Sequence, residues 1–208
     1  MHKSLIINES ILHTSLDFLS KFDIIVYMIL GLDISTSCVG WCILESDGSL
    51  AEMGYIPLSK EKDVFSKAKR VSDELSRLHI SFPIENIFIE ENLQAFRPGL
   101  SSAKTLLTLA RFNGVVTYMC YQEFNLKPVN INVNSARKIL GIKIKKKYEK
   151  STKEQVIEWV DTKLVNYKWP KKELKSGPRR GQIILDPVCF DMADSYVIAS
   201  AGYNQMNT

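Results

Sequence analysis

At 208 residues, 45% hydrophobic and 24% charged, the chain is sized and composed for one globular domain with a full hydrophobic core. No apolar run reaches the roughly 18–20 residues of a membrane span, and Asn8, Glu9, Ser10, Asp17 and Lys21 break the N-terminal apolar patches too often for a signal peptide; a cytoplasmic protein without a membrane partner is expected. The net charge of +4 is unevenly spread: 137–180 carries 15 Lys/Arg against 5 Asp/Glu and the remainder 12 against 18, an asymmetry that points to a polyanionic partner.

Residues 1–27 show weak helical periodicity and end at an internal methionine, Met28. They read either as a loosely attached extension or as a stretch upstream of a functional start at Met28, with one domain over 28–208. The apolar run 29–34 predicts a first strand closed by Ser35-Thr36-Ser37. A second is expected over 39–44, a turn at Asp47-Gly48 and a third strand over 50–58, together an antiparallel meander. Val64, Ala68, Val71, Leu75 and Leu78, spaced by threes and fours, predict a helix over 61–79. Residues 86–90 predict a fourth strand that ends on Glu90.

Ser101 or Ser102 can cap a long helix to about residue 122. Its apolar residues, among them Leu106, Leu107, Phe112, Val116 and Met119, cover more than one face, so it lies either inside the fold or against a partner subunit. A fifth strand is expected over 129–133 and a short helix over 134–140, followed by a lysine-rich loop over 143–147. Ser151 or Thr152 then caps a helix to about residue 165, 167–182 reads as an irregular basic connection, and Asp186-Pro187 opens a last helix to about residue 203. The expected class is α/β: a mixed five-stranded sheet, three antiparallel strands followed by parallel ones, flanked by helices. Cys38, Cys42, Cys120 and Cys189 lack C-x-x-C spacing and a nearby histidine pair, so they read as buried reduced thiols and not as a zinc site.

Asp33 and Glu90 each end an apolar strand, where a carboxylate is costly unless it is paired or binds a metal. Asp191 and Asp194, three apart, point from one face of an otherwise apolar helix. Like charges stacked in that way repel, and a bound dication removes the repulsion. With His2, His13 and His79 elsewhere in the chain, an all-carboxylate set suits Mg²⁺, with Mn²⁺ as a substitute. Two such ions support in-line phosphodiester hydrolysis.

Residues 29–41, ILGLDISTSCVGW, then 87–91, IFIEE, and 191–195, DMADS, resemble in order and spacing the RuvC family of Holliday junction resolvases over 28–203. The resemblance implies an RNase H-like fold, a catalytic tetrad of Asp33, Glu90, Asp191 and Asp194, and two Mg²⁺ ions per site. It also implies Lys153 near the scissile DNA, a homodimer through the helix at 101–122, and four-way junction DNA as partner. Phe96 stands as a displaced candidate for the aromatic wedge that the family places after its glutamate. The 143–147 and 167–182 segments are longer than in the compact bacterial form, which suits a phage or viral version working in a bacterial cytoplasm or an infected host cell. Lys138, Lys143, Lys145, Lys146, Lys147, Lys153, Arg179 and Arg180 are the expected DNA contacts. The competing readings are another nuclease on the same fold (flap, branched DNA or RNA–DNA hybrid), an actin-like ATPase fragment suggested by 31–37, and a non-catalytic DNA-binding relative.

Overall fold

The leading strands form where the sequence is apolar and turn where short polar residues can bond the backbone. In the computed structural model, which describes residues 27–91 and 102–208, β1 (Met28–Ile34), β2 (Cys38–Leu44) and β3 (Leu50–Pro57) make the expected antiparallel meander. The Ser35 hydroxyl ties the first turn, donating to the Cys38 carbonyl (2.8 Å) and accepting from the Cys38 N–H (3.1 Å). Helix α1 (Val64–Ser81) starts at Asp63, whose carboxylate accepts from the N–H groups of Phe65 and Ser66. It leads to β4 (Ile84–Glu90), parallel to β1. Helix α2 (Ala103–Phe124), capped by Ser102, leads to β5 (Val129–Ile131), parallel to β4. The sheet order is β3-β2-β1-β4-β5, so β1 is central.

Strand alternation sorts the core into two layers. Leu30, Leu32, Val39, Trp41, Ile43, Ile87 and Ile89 face α1 and α2, meeting Val71, Leu75, Leu78, Phe112, Val116 and Cys120. Ile29, Cys42, Leu44 and Phe88 face the other way, onto the terminal helix α5 (Val188–Met206). This helix is covered on its far side by α3 (Val133–Ile139) and α4 (Thr152–Lys163), through Ala136, Val156, Ile157 and Val160. A helix apolar on all sides belongs in such a sandwich. Helix α2, the other candidate for that position, instead keeps an exposed apolar face with Leu107 and Tyr118.

The 167–182 segment differs from its reading as an irregular connection. It holds part of a second, two-stranded antiparallel sheet, β6 (Lys171–Glu173) and β7 (Ile183–Leu185). The strands are three residues long, too short to leave an alternation, and Gly177 and Gly181 serve its tip at φ 80° and 85°. Residues 1–26 and Phe96 lie outside the described residues. Among the described residues no helix is long and apolar enough to cross a membrane, and all four cysteines are free and buried.

Candidate active site

The register of two parallel strands places the first two carboxylates. Leu32 pairs with Ile89, so Asp33 and Glu90 each stand one residue further along adjacent strands, at the same edge of the sheet. Alternation sends both toward α5, on the face of Ile29 and Phe88. The other two come from α5, which lies very close to the sheet because two glycines admit it. A Cβ on Gly31 would stand 2.5 Å from the Ser195 carbonyl oxygen, and one on Gly40 would overlap the Asp191 carbonyl. Gly40 is also the cross-strand partner of Asp33. Asp191 and Asp194 therefore sit over the strand ends that carry Asp33 and Glu90.

The four groups disturb one another as neighbours must. Burial, then Glu90, Asp194 and Asp191, hold the Asp33 carboxyl well above the ordinary range, against the opposing pull of Lys153. Glu90 is pushed up to about 7 by burial and then by Asp194, with Arg137 and Lys153 pulling it back. Asp194 rises to about 6 through burial, opposed by Arg137 and Lys153. Burial also raises Asp191, whose carboxylate is eased by Lys153 and by a hydrogen bond from the Cys38 thiol. Among the described residues two cations border the cluster: Lys153 Nζ lies 3.9 Å from Asp191 Oδ1, and Arg137 Nη2 lies 3.9 Å from Asp194 Oδ1. From the opposite face of the sheet, buried Asn113 on α2 donates to the Glu90 carbonyl at 3.5 Å.

The donor set fits a hard divalent cation: oxygen ligands throughout and mutual repulsion for the ion to relieve. Asp194 Oδ1 is buried with no hydrogen-bond partner, an oxygen that a cation could satisfy. Among the described residues no group of three His, Cys, Asp or Glu is arranged to hold a metal. The fit therefore lies in donor chemistry and backbone placement.

Among the other expected residues, Lys138, Lys143 and Lys146 line one cleft of about 750 Å³ together with Arg137 and Thr152. Lys145 lies over the Tyr148 ring, and its backbone is stapled to α4 by Gln155. Lys147 is exposed nearby, while Arg179 and Arg180 occupy the tip of the β6–β7 hairpin, apart from the cleft. Arg137 is the residue the sequence reading misses. An arginine inside a basic stretch carries no mark, and only the packing of α3 against α5 brings it to the carboxylates.

This is a mixed α/β domain of RNase H-like architecture with four carboxylates gathered at one edge of its sheet. Its fold is that of RuvC. RuvC of Thermus thermophilus in complex with a Holliday junction substrate aligns with a TM-score of 0.60 at 16% identity, covering 86% of this chain and 95% of that one. A second T. thermophilus RuvC structure aligns at 0.55 and 19% identity, covering 87% and 97%. The yeast mitochondrial Holliday junction resolvase Ydc2 aligns at 0.53 and 19% identity, covering 86% and 78%. No protein-family model and no curated protein matches the chain.

Proposed function

We propose that the protein is a Mg²⁺-dependent endonuclease that resolves four-way DNA junctions, with residues 28–208 as the nuclease unit. The observation that carries this reading is the meeting, on a RuvC fold, of Asp33 and Glu90 from adjacent parallel strands with Asp191 and Asp194 from the helix packed across them. These carboxylates would hold two Mg²⁺ ions, or Mn²⁺ in their place. When bound, the ions supply an activated water and charge neutralisation at the leaving 3′ oxygen. Lys153, mostly exposed beside Asp191, can carry its ammonium to the phosphate as negative charge develops there. The basic residues at 138–147, and Arg179 and Arg180 on the hairpin, would grip backbone phosphates. Four buried free thiols suit the reducing cytoplasm, the compartment in which we place the activity.

A two-fold dimer would present two sites to opposed strands of the junction. Leu107, Gly114, Tyr118 and Tyr121 fall on one exposed face of α2, and the Cβ position of Gly114 is open. A second copy of the helix fits there.

The test is cleavage of matched four-way junction, flap, duplex and RNA–DNA hybrid substrates in Mg²⁺. Paired nicks in the junction, leaving 5′ phosphate and 3′ hydroxyl ends, are expected. Preference for the flap or the hybrid would replace junction resolution with another nuclease activity of the same fold.

A further inference from the structure

Arg137 makes a long ion pair with Asp194 and leaves one buried donor unfilled. Its Nε is buried and makes no hydrogen bond, and its Nη2 stands 3.9 Å from Asp194 Oδ1, beyond hydrogen-bonding distance. That Asp194 oxygen is itself buried and unpartnered. A guanidinium offers five donors in a planar fork, and a buried donor left unfilled, as Nε is here, is costly unless a ligand completes it. The same side chain also lines the cleft between α3, the lysine loop and the start of α4. The other charged residues lining that cleft are Lys138, Lys143 and Lys146, with no carboxylate among them. Among the described residues, Arg137 is thus the one shared by the carboxylate site and the basic cleft.

We propose that Arg137 holds the scissile phosphate. Its guanidinium donates to a non-bridging oxygen of the phosphodiester at the carboxylates, and the cleft beyond it takes the neighbouring phosphates of the same strand on Lys138, Lys143 and Lys146. The ligand class is a single nucleic-acid strand read through its backbone. The fork geometry favours arginine over lysine at the point where two oxygens of one phosphate must be held. This inference rests on the nuclease reading and adds to it a residue and a strand path.

The experiment uses the full chain. Binding of a fluorescent four-way junction is measured in EDTA across a KCl series, and single-turnover cleavage is measured in Mg²⁺, for wild type, Arg137→Ala, Arg137→Lys, Asp194→Asn and the Arg137→Ala/Asp194→Asn pair. Loss of one phosphate contact should reduce the slope of log K against log[KCl] by about 0.9. Loss of one donor to the reacting group should slow cleavage by about 10²–10³-fold. The weakened binding should persist when Asp194 is also replaced. If Arg137→Ala binds with the wild-type slope, or if the Asp194→Asn background abolishes its effect on binding, Arg137 is a structural partner of Asp194 and the proposal is overturned. Should Arg137→Ala not fold, Arg137→Lys decides: slower cleavage with the salt slope kept supports the fork, and a wild-type rate overturns it. A wild type that binds DNA yet cuts none would sink the nuclease reading instead, with the salt slopes still reporting on Arg137.

Discussion

Asp33 pairs across the sheet with Gly40, and the bare backbone of Gly40 is what lets the Asp191 carbonyl settle over that pair. One glycine thereby fixes the separation between two of the four carboxylates. Gly40→Ala would drive a methyl group into the helix backbone, which cannot rotate aside as a side chain can. Overpacking of this kind costs about 1–3 kcal/mol. Urea unfolding should show that loss, and cleavage should fall further than stability does because α5 is displaced from β1. Wild-type cleavage in a destabilised Gly40→Ala protein would mean that the helix-to-sheet distance does not set the site.

The carboxylates oppose folding in the absence of a metal, so neutralising one should stabilise the metal-free protein while ending its chemistry. Asp33 is raised by burial and then by all three of its acidic neighbours. Asp33→Asn is expected to melt at a higher temperature than wild type in EDTA, to gain nothing on addition of Mg²⁺, and to leave a junction uncut. Wild type should gain thermal stability with Mg²⁺ concentration, as any ligand that binds only the folded state requires. Equal Mg²⁺-induced shifts in both proteins would remove Asp33 from the metal site.

The sign of the pH dependence follows from the same groups. Glu90 moves from 4.5 to about 7 and Asp194 from 3.8 to about 6 on folding. The folded state therefore holds protons that the unfolded chain has already released. Their contribution is complete below about pH 4 and is lost as pH rises through 6 and 7. Asp47, Asp63 and Glu154, lowered by their hydrogen bonds, act with the opposite sign only below the ordinary carboxylate range. Denaturation in EDTA should thus show falling stability between pH 5 and 8, and Mg²⁺ affinity should rise over the same interval as it displaces those protons. Metal-free stability that is flat or rising there would contradict the coupled burial of the two groups.

The strand ends are legible in the sequence because each apolar run, 29–34 and 86–90, carries a single acid near its end, Asp33 or Glu90, and the break from apolar to acidic marks the site. The Asp191/Asp194 pair is legible from its spacing alone. Arg137 is not, since its burial depends on how α3 lies against α5, a tertiary fact without local signature. The β6–β7 hairpin hides behind Pro170, Gly177, Pro178 and Gly181, residues that read as breakers but here shape the tip and base of a very short sheet. Which helix is sandwiched is likewise undecided by composition. Both α2 and α5 are apolar on more than one face, and only α5 has α3 and α4 to cover it.

The exposed face of α2 leads to the last prediction. Leu107 is 71% exposed and Tyr118 62% exposed, on the side of the helix away from Phe112, Val116 and Cys120. Neither supports the core of its own chain, so Leu107→Glu and Tyr118→Glu should leave the melting temperature of the monomer nearly unchanged. In a dimer the same substitutions would place like charges together in an apolar contact and split it. Sedimentation should show wild type as a dimer and the double variant as a monomer. The monomer keeps all four carboxylates, so it should still nick one strand of a junction while losing the paired, symmetric cut. A variant that remains dimeric, or a monomer that still cuts both opposed strands together, would place the subunit contact elsewhere than α2.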